Sequence, residues 1–168
     1  MISPHEEFRD DRIPLALFIT FRTYGSWLHG DPRGSVDRFH NRHGSPKLPP
    51  NKLRQQFERD LLKRPPVRLN RRQRKAATEG IQEICKKRNW GLWAVNTRTN
   101  HVHVVVTADC DSKKVRSTLK AHATKQMRER GCWPYPESPW ADKGSRKKLF
   151  TEAELSAAID YVMYDQGE

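Results

Sequence analysis

The chain has 168 residues, of which 32 are Lys or Arg and 20 are Asp or Glu, so its formal net charge is +12. A domain this basic attracts polyanions, and nucleic acid is the leading partner over an anionic membrane. No apolar run approaches the roughly 20 residues that span a bilayer, so we expect a soluble, cytoplasmic protein. The 3 cysteines are far apart, which argues against a disulfide framework and a cysteine-based zinc site.

Hydrophobic periodicity in the first half of the chain predicts a strand, an insert and a helix. The β-branched and aromatic stretch Leu15–Gly25 predicts a central strand. Residues 30–66 are rich in Pro, Gly, His and Arg and predict an inserted basic loop with one short helix, for which Asn51 is a candidate N-cap. Asn70 is the predicted N-cap of the first long helix. Its predicted apolar stripe consists of Ala77, Ile81, Ile84 and Cys85.

The second half of the chain predicts a hairpin, a helix, a strand and a last helix. In chain order these are strands near Leu92–Asn96 and His101–Thr107, a helix over 112–130, a strand near Lys147–Phe150 and a helix over 151–166. Thr151 and Glu154 have the spacing of a capping box at the start of that last helix. The order predicts a single α+β domain over residues 1–168, a ferredoxin-like βαββαβ sandwich with an antiparallel sheet and an added C-terminal helix.

The stretch "NHVHVVV" places two histidines two residues apart in a predicted strand. Side chains alternate along a strand, so His101 and His103 should project from one face. Two neutral imidazoles on one face can hold a divalent cation with a small adjustment. The alternative is that both histidines only make hydrogen bonds at a solvated sheet face, and the spacing alone does not decide between these two interpretations.

The last helix holds a candidate nucleophile. At 100° per residue, Tyr161 lies on the flank of the apolar helix face and Tyr164 lies nearly opposite the core. Asp165, one turn after Tyr161, could serve as a third metal ligand. A metal in a polyanion-binding protein can polarise a phosphodiester oxygen while a nucleophile attacks phosphorus. The alternative is that Tyr161 only packs its ring and exposes its hydroxyl.

These residues resemble a known family. "NHVHVVV" resembles the HUH motif of the single-tyrosine transposases, which is histidine, bulky hydrophobe, histidine, and "AIDYVMYDQGE" is similar to their C-terminal helix with the catalytic tyrosine. The stretches "FITFRTYGSWLHGD" and "VNTRTNHVHVVV" resemble most the REP-associated tyrosine transposases of the IS200-like branch. The resemblance covers Phe18 to Gln166, although the 30–66 segment is longer than the compact members need.

The resemblance implies an enzyme that cleaves and rejoins single-stranded DNA or a DNA stem-loop, as a monomer or homodimer. It implies that His101 and His103 bind Mg²⁺ or Mn²⁺, and that Tyr161 attacks phosphorus and keeps the 5′-phosphate as a covalent phosphotyrosine. Family members tend to carry an amide, Gln or Asn, about one turn after the tyrosine. Here Asp165 stands at that position and Gln166 follows it. Helical geometry favours Asp165 as the third ligand, with Gln166 as the alternative.

The basic residues and two aromatic residues predict a DNA-binding surface, because cations neutralise backbone phosphates and exposed aromatic rings stack unpaired bases. The candidates are Lys113, Lys114, Arg116, Lys120, Lys125, Arg146, Lys147 and Lys148, with Tyr135 and Trp140 expected to be exposed in a Pro-rich loop.

Two other functions stay open. A non-catalytic nucleic-acid-binding module would bind no metal, and a water-using metal phosphodiesterase would form no covalent DNA adduct.

Overall fold

The computed structural model describes residues 12–26 and 49–164, and all structural statements refer to these residues. In chain order the elements are β1 (Ala16–Arg22), α1 (Lys52–Asp60), α2 (Arg71–Lys87), β2 (Gly91–Thr97), β3 (His101–Thr107), α3 (Ser112–Glu129), β4 (Ser145–Leu149) and α4 (Glu152–Tyr164). The predicted α+β class is confirmed. Over these two ranges no helix combines the length and the hydropathy needed to cross a membrane.

The four strands form one antiparallel sheet in the order β2-β3-β1-β4. Helix α2 connects β1 to β2, with β3 lying between these two strands, and α3 connects β3 to β4, with β1 lying between them. Each crossover therefore passes over one strand, as in a split βαβ unit. The histidine strand β3 consequently lies inside the sheet, with β2 on one side and β1 on the other.

One face of the sheet packs against α2 and α3. Alternate residues of the two central strands point to this face and are fully buried, among them Ile19, Phe21, Val102 and Val104. The helices cover them with the apolar residues Ala77, Ile81, Ile84, Cys85, Val115, Leu119, Ala123 and Met127. The apolar stripe predicted for α2 is confirmed, and Asn70 caps this helix as expected, its side chain accepting from the Gln73 backbone N–H.

Helix α4 packs on the opposite face of the sheet. The buried residues of this second cluster are Ala16, Ala94, Val105, Leu149, Ala158 and Val162. The predicted capping box at the start of α4 is present: the Glu154 N–H donates to Thr151 Oγ1 at 3.1 Å, and the Thr151 N–H donates to Glu154 Oε2 at 3.4 Å. A shorter hydrogen bond, from the Phe150 N–H to the same carboxylate oxygen at 2.7 Å, connects the start of the helix to the residue that follows β4.

Helix α1 contributes to neither cluster. Asn51 caps it as predicted, because the Arg54 N–H donates to Asn51 Oδ1 at 3.0 Å. Its apolar side chains Leu53 and Phe57, and Leu61 just after it, are exposed. The short helix of the insert is therefore formed by its cap and its local sequence, without burial in the core.

Gly144 allows the loop before β4 to approach β1 closely. Its φ is +137°, and a Cβ there would overlap the carbonyl oxygen of Thr20. We expect Gly144→Ala to lower the free energy of unfolding by about 3 kcal/mol, measured by urea denaturation. Gly131→Ala is the matched control, since its φ is +68° but its Cβ would meet nothing within 4 Å. Only the left-handed backbone cost of about 1–2 kcal/mol is expected there, and equal losses would contradict the steric explanation.

Candidate active site on the sheet

Strand β3 places His101 and His103 on the sheet face that carries α4. Their ring centroids are 4.8 Å apart and the ring planes are inclined by 69°. The prediction that alternation puts both imidazoles on one face is confirmed. His103 is buried, whereas His101 is half-buried and lies nearer the end of the strand.

Each imidazole is oriented by an oxygen at its Nδ1 atom. Nδ1 of His101 lies 2.7 Å from Oδ1 of Asn100. An amide oxygen only accepts, so this Nδ1 carries the hydrogen, and in the neutral ring the lone pair is on Nε2. Nδ1 of His103 lies 2.7 Å from Oγ1 of Thr20, which faces it from β1. Metal-binding histidines are typically oriented by such contacts at the other ring nitrogen.

Burial, together with the neighbouring His101, lowers the pKa of His103 to about 4. The ring is therefore neutral at neutral pH, which is the form in which imidazole binds a metal. Within residues 12–26 and 49–164, no group of three His, Cys, Asp or Glu side chains is placed to hold a metal ion. The predicted third ligands Asp165 and Gln166 lie outside these ranges. His101 and His103 fit a metal as two of its ligands, and the third ligand stays a prediction.

Helix α4 brings Tyr161 to the histidine pair. Its ring centroid lies 5.5 Å from that of His103 and 5.9 Å from that of Phe18, with the planes inclined by 74° and 67°. Tyr161 is 42% exposed, so it is open to a ligand, whereas Tyr164 is 79% exposed. The predicted placement of Tyr161 on the flank of the apolar face is confirmed.

Asn96 fixes the position of α4 relative to the histidines. Its Nδ2 atom donates to the carbonyl oxygen of Val162 at 3.1 Å, and it pairs with His103 across β2 and β3. The residue that bonds to α4, the helix of the candidate nucleophile, is thus the strand neighbour of a candidate ligand. Sequence reasoning missed Asn96, and also Thr20 and Phe18. The available signal for Thr20 and Asn96 was that each is a polar residue within a mostly apolar strand, β1 and β2 respectively.

The predicted DNA-binding cations lie on different surfaces. Lys113, Lys114 and Lys125 are exposed on α3, which packs on the other side of the sheet from the histidines. On β4, Arg146 pairs with Ile19 and Lys148 pairs with Leu17. The side chains of Ile19 and Leu17 face α2 and α3, so those of Arg146 and Lys148 lie on the same side. Lys147 pairs with Phe18, which lies on the histidine face. Among these six exposed cations, Lys147 is therefore the one whose register places it on the face of the candidate site.

Arg116 and Lys120 hold the loop that precedes β4. Nη1 of the buried Arg116 donates to the carbonyl oxygen of Gly144 at 2.7 Å. Nζ of Lys120 donates to the carbonyl oxygens of Ala141 at 2.8 Å and Lys143 at 2.6 Å. Burial and the nearby Arg116 lower the pKa of Lys120 to about 8. Both cations are engaged within the protein, and a DNA contact from either stays a prediction.

Trp140 is a core residue, so the expectation that it is exposed is wrong. It is 5% exposed, its ring lies 4.9 Å from that of Phe21, and Nε1 donates to Oγ1 of Thr124 at 2.9 Å. Burial of the indole is possible because its N–H has this partner. Stacking of a base on Trp140 would require the ring to leave the core. Tyr135 is exposed, as expected.

Comparisons with known proteins bear on the segment around the histidine strand. Residues 62–141, which include α2, β2, β3 and α3, match the family described as "Transposase IS200 like". A candidate transposase from Deinococcus radiodurans R1, solved as a crystal structure, is similar over 97% of this chain and 99% of its own, with 11% identity and a TM-score of 0.46. The sequence has no match among the curated proteins. The match over residues 62–141 agrees with the resemblance of the sequence to the IS200-like transposases.

Proposed function

We propose that the protein is a metal-dependent single-tyrosine endonuclease that cuts and rejoins single-stranded DNA. The family match supports a role in transposition and DNA cleavage in general. The observation that carries the finer proposal is the convergence of His101, His103 and Tyr161, whose successive ring centroids are 4.8 and 5.5 Å apart. Two candidate ligands and a candidate nucleophile thus lie together on one face of the sheet in a strongly basic chain.

His101 and His103 would hold Mg²⁺ or Mn²⁺. When bound, such an ion polarises a phosphodiester oxygen and offsets the charge that develops at phosphorus. Imidazole suits Mn²⁺ better than Mg²⁺, which prefers oxygen ligands. Asn100 and Thr20 would keep the two rings in a fixed orientation through their Nδ1 atoms.

Tyr161 would supply the nucleophile. Its phenol oxygen bonds to phosphorus, the bond from phosphorus to the 3′-oxygen breaks, the phenol proton passes to solvent, and the leaving oxygen takes a proton to become a 3′-hydroxyl. The 5′-phosphate stays on the tyrosine until another 3′-hydroxyl displaces it, so rejoining needs no nucleotide cofactor. Contacts of the Tyr161 ring with Phe18 and His103 restrict its orientation.

The test is incubation of the protein with a pool of single-stranded genomic oligonucleotides and Mn²⁺, followed by denaturing gels for protein-linked DNA. We expect a covalent adduct that depends on the metal. A protein that binds the pool but yields no adduct would be a non-catalytic module, and cleaved DNA without an adduct would indicate water as the nucleophile.

The third ligand is predicted to be Asp165. We expect Asp165→Ala to lower Mn²⁺ affinity and adduct yield at least about tenfold, because even residues that only orient a ligand contribute 10–100-fold. Gln166→Ala should have a smaller effect and serves as the matched control. Free Mn²⁺ can be followed by electron paramagnetic resonance during titration. The reverse order of effects would assign the ligand to Gln166.

A further inference from the structure

The sheet face with the histidines has two ends that differ in their cover. Helix α4 packs on the end that carries Ala16, Val105 and Leu149. The other end carries Thr20, which pairs with His103 on one side and with Ser145 on the other. Thr20 and its neighbours at this end, with the exception of the buried His103, are half-buried or exposed. An accessible strip therefore runs from β4 across β1 to the histidine pair.

Two cations flank this strip. Arg22 pairs with His101 on the adjacent strand, and directly opposite side chains have Cβ atoms about 4.5–5.5 Å apart. Lys147 pairs with Phe18 and is exposed. It lies near Glu154, whose carboxylate already accepts bonds from the backbone at the start of α4. Arg22 and Lys147 thus place positive charge on either side of the row of paired residues Ser145, Thr20 and His103.

An aromatic ring borders the strip. Phe18 packs against the cluster under α4 and is half-buried, and its ring centroid lies 5.5 Å from that of His103 and 5.9 Å from that of Tyr161. Cations that follow a backbone next to aromatic rings that stack bases are typical of single-strand binding surfaces. A duplex offers the same phosphates but keeps its base faces stacked.

From this arrangement we infer that a DNA single strand reaches Tyr161 across β4 and β1, with its phosphates held by Arg22 and Lys147. The inference rests on the proposed function, since it describes the path of that substrate. It names two phosphate-binding residues outside the HUH strand and the tyrosine helix. It also predicts that the other cations of β4, which face the helical side, do not take part.

Strand alternation gives matched controls for this inference. Lys147 and Lys148 are adjacent and exposed but point to opposite faces of the sheet. Arg146 is the control for Arg22, because its Nη1 donates to Oγ of Ser112 at the start of α3. Each of the four substitutions to Gln removes one positive charge, so any general effect of net charge is the same in all of them.

Binding of a fluorescent single-stranded oligonucleotide is measured by anisotropy without metal, over a series of salt concentrations. We expect Arg22→Gln and Lys147→Gln each to weaken binding about tenfold. Each should also reduce the magnitude of the log–log salt slope by about 0.7. Lys148→Gln and Arg146→Gln should stay within about twofold of the parent. The parent should bind the single strand more tightly than a duplex of the same sequence.

Equal losses in all four variants, or equal binding of single strand and duplex, would overturn the inference. Arg22→Lys should restore most of the affinity, and thermal unfolding separates a lost contact from a lost fold. If Arg22→Gln does not fold, the comparison of Lys147→Gln with Lys148→Gln decides. Because no cleavage is measured, a selective loss at Arg22 and Lys147 would support the DNA path even if the parent forms no covalent adduct, which would contradict the proposed function alone.

Discussion

The Tyr161→Phe variant should fold, bind Mn²⁺ and bind single-stranded DNA, but form no covalent adduct. The substitution removes only the phenol oxygen, so the ring contacts with His103 and Phe18 are preserved. A nucleophilic step loses its capacity when the attacking atom is missing, and we expect the rate of adduct formation to fall at least about a thousandfold. Denaturing gels measure the adduct, and anisotropy measures the DNA affinity that should remain.

Tyr164→Phe is the control on the same helix. Tyr164 is more exposed than Tyr161, and the Tyr164→Phe variant should form the adduct at the parent rate. Mass spectrometry of a trapped adduct would locate the nucleotide on one peptide residue. An adduct on Tyr164 would show that the other side of α4 meets the DNA. Cleavage that survives in Tyr161→Phe would mean that water or another residue is the nucleophile.

The elements of the fold could be predicted because their signals are local. The stripe of Ala77, Ile81 and Ile84 follows the helix period, and the cap at Asn70 depends on a residue only three positions away. The same holds for the two histidines of β3, since strand alternation fixes their shared face. The flank position of Tyr161 likewise follows from its offset from the apolar face of α4.

The partners of these residues could not be predicted, because they depend on strand pairing over long separations. Thr20 meets His103 across 83 positions of sequence, and Asn96 reaches Val162 across 66. A one-residue change of register would turn each strand side chain to the other face of the sheet. The sequence therefore predicts which residues share a face, while the pairing decides which oxygen orients which imidazole.

Trp140 and Arg116 show a second limit of sequence reasoning. A Pro-rich segment next to basic residues is typical of an exposed loop. The indole of Trp140 nevertheless packs on Phe21, and its N–H donates to Oγ1 of Thr124. The guanidinium of Arg116 bonds to the carbonyl of Gly144 in the same region. The positions of backbone carbonyls in a folded loop cannot be predicted from a residue pattern. A cation on a helix can therefore bond to such a carbonyl within the protein instead of binding a ligand.

Replacement of His103 by Ala should abolish Mn²⁺-dependent cleavage while leaving most of the affinity for single-stranded DNA. The imidazole is one of two candidate metal ligands on this face, whereas the cations that attract the DNA backbone are unchanged. We expect Mn²⁺ affinity to fall by more than the 10–100-fold that an orienting residue contributes. Thr20→Val removes only the hydroxyl that orients the ring, so its loss should fall within that range. His101→Ala should reproduce the result if the loss of the buried His103 ring prevents folding.

His122→Ala is the control for a general effect of removing an imidazole. His122 is half-buried on α3, and its pKa is lowered by burial and, to a smaller extent, by the nearby cations Lys125, Arg88 and Lys87. This variant should bind Mn²⁺ and cleave DNA like the parent, because α3 lies on the opposite face of the sheet from Tyr161. If His103→Ala still cleaves with Mn²⁺, the metal is held elsewhere. If it loses DNA affinity as strongly as it loses cleavage, His103 contacts the nucleic acid directly and the loss of cleavage does not report on a metal.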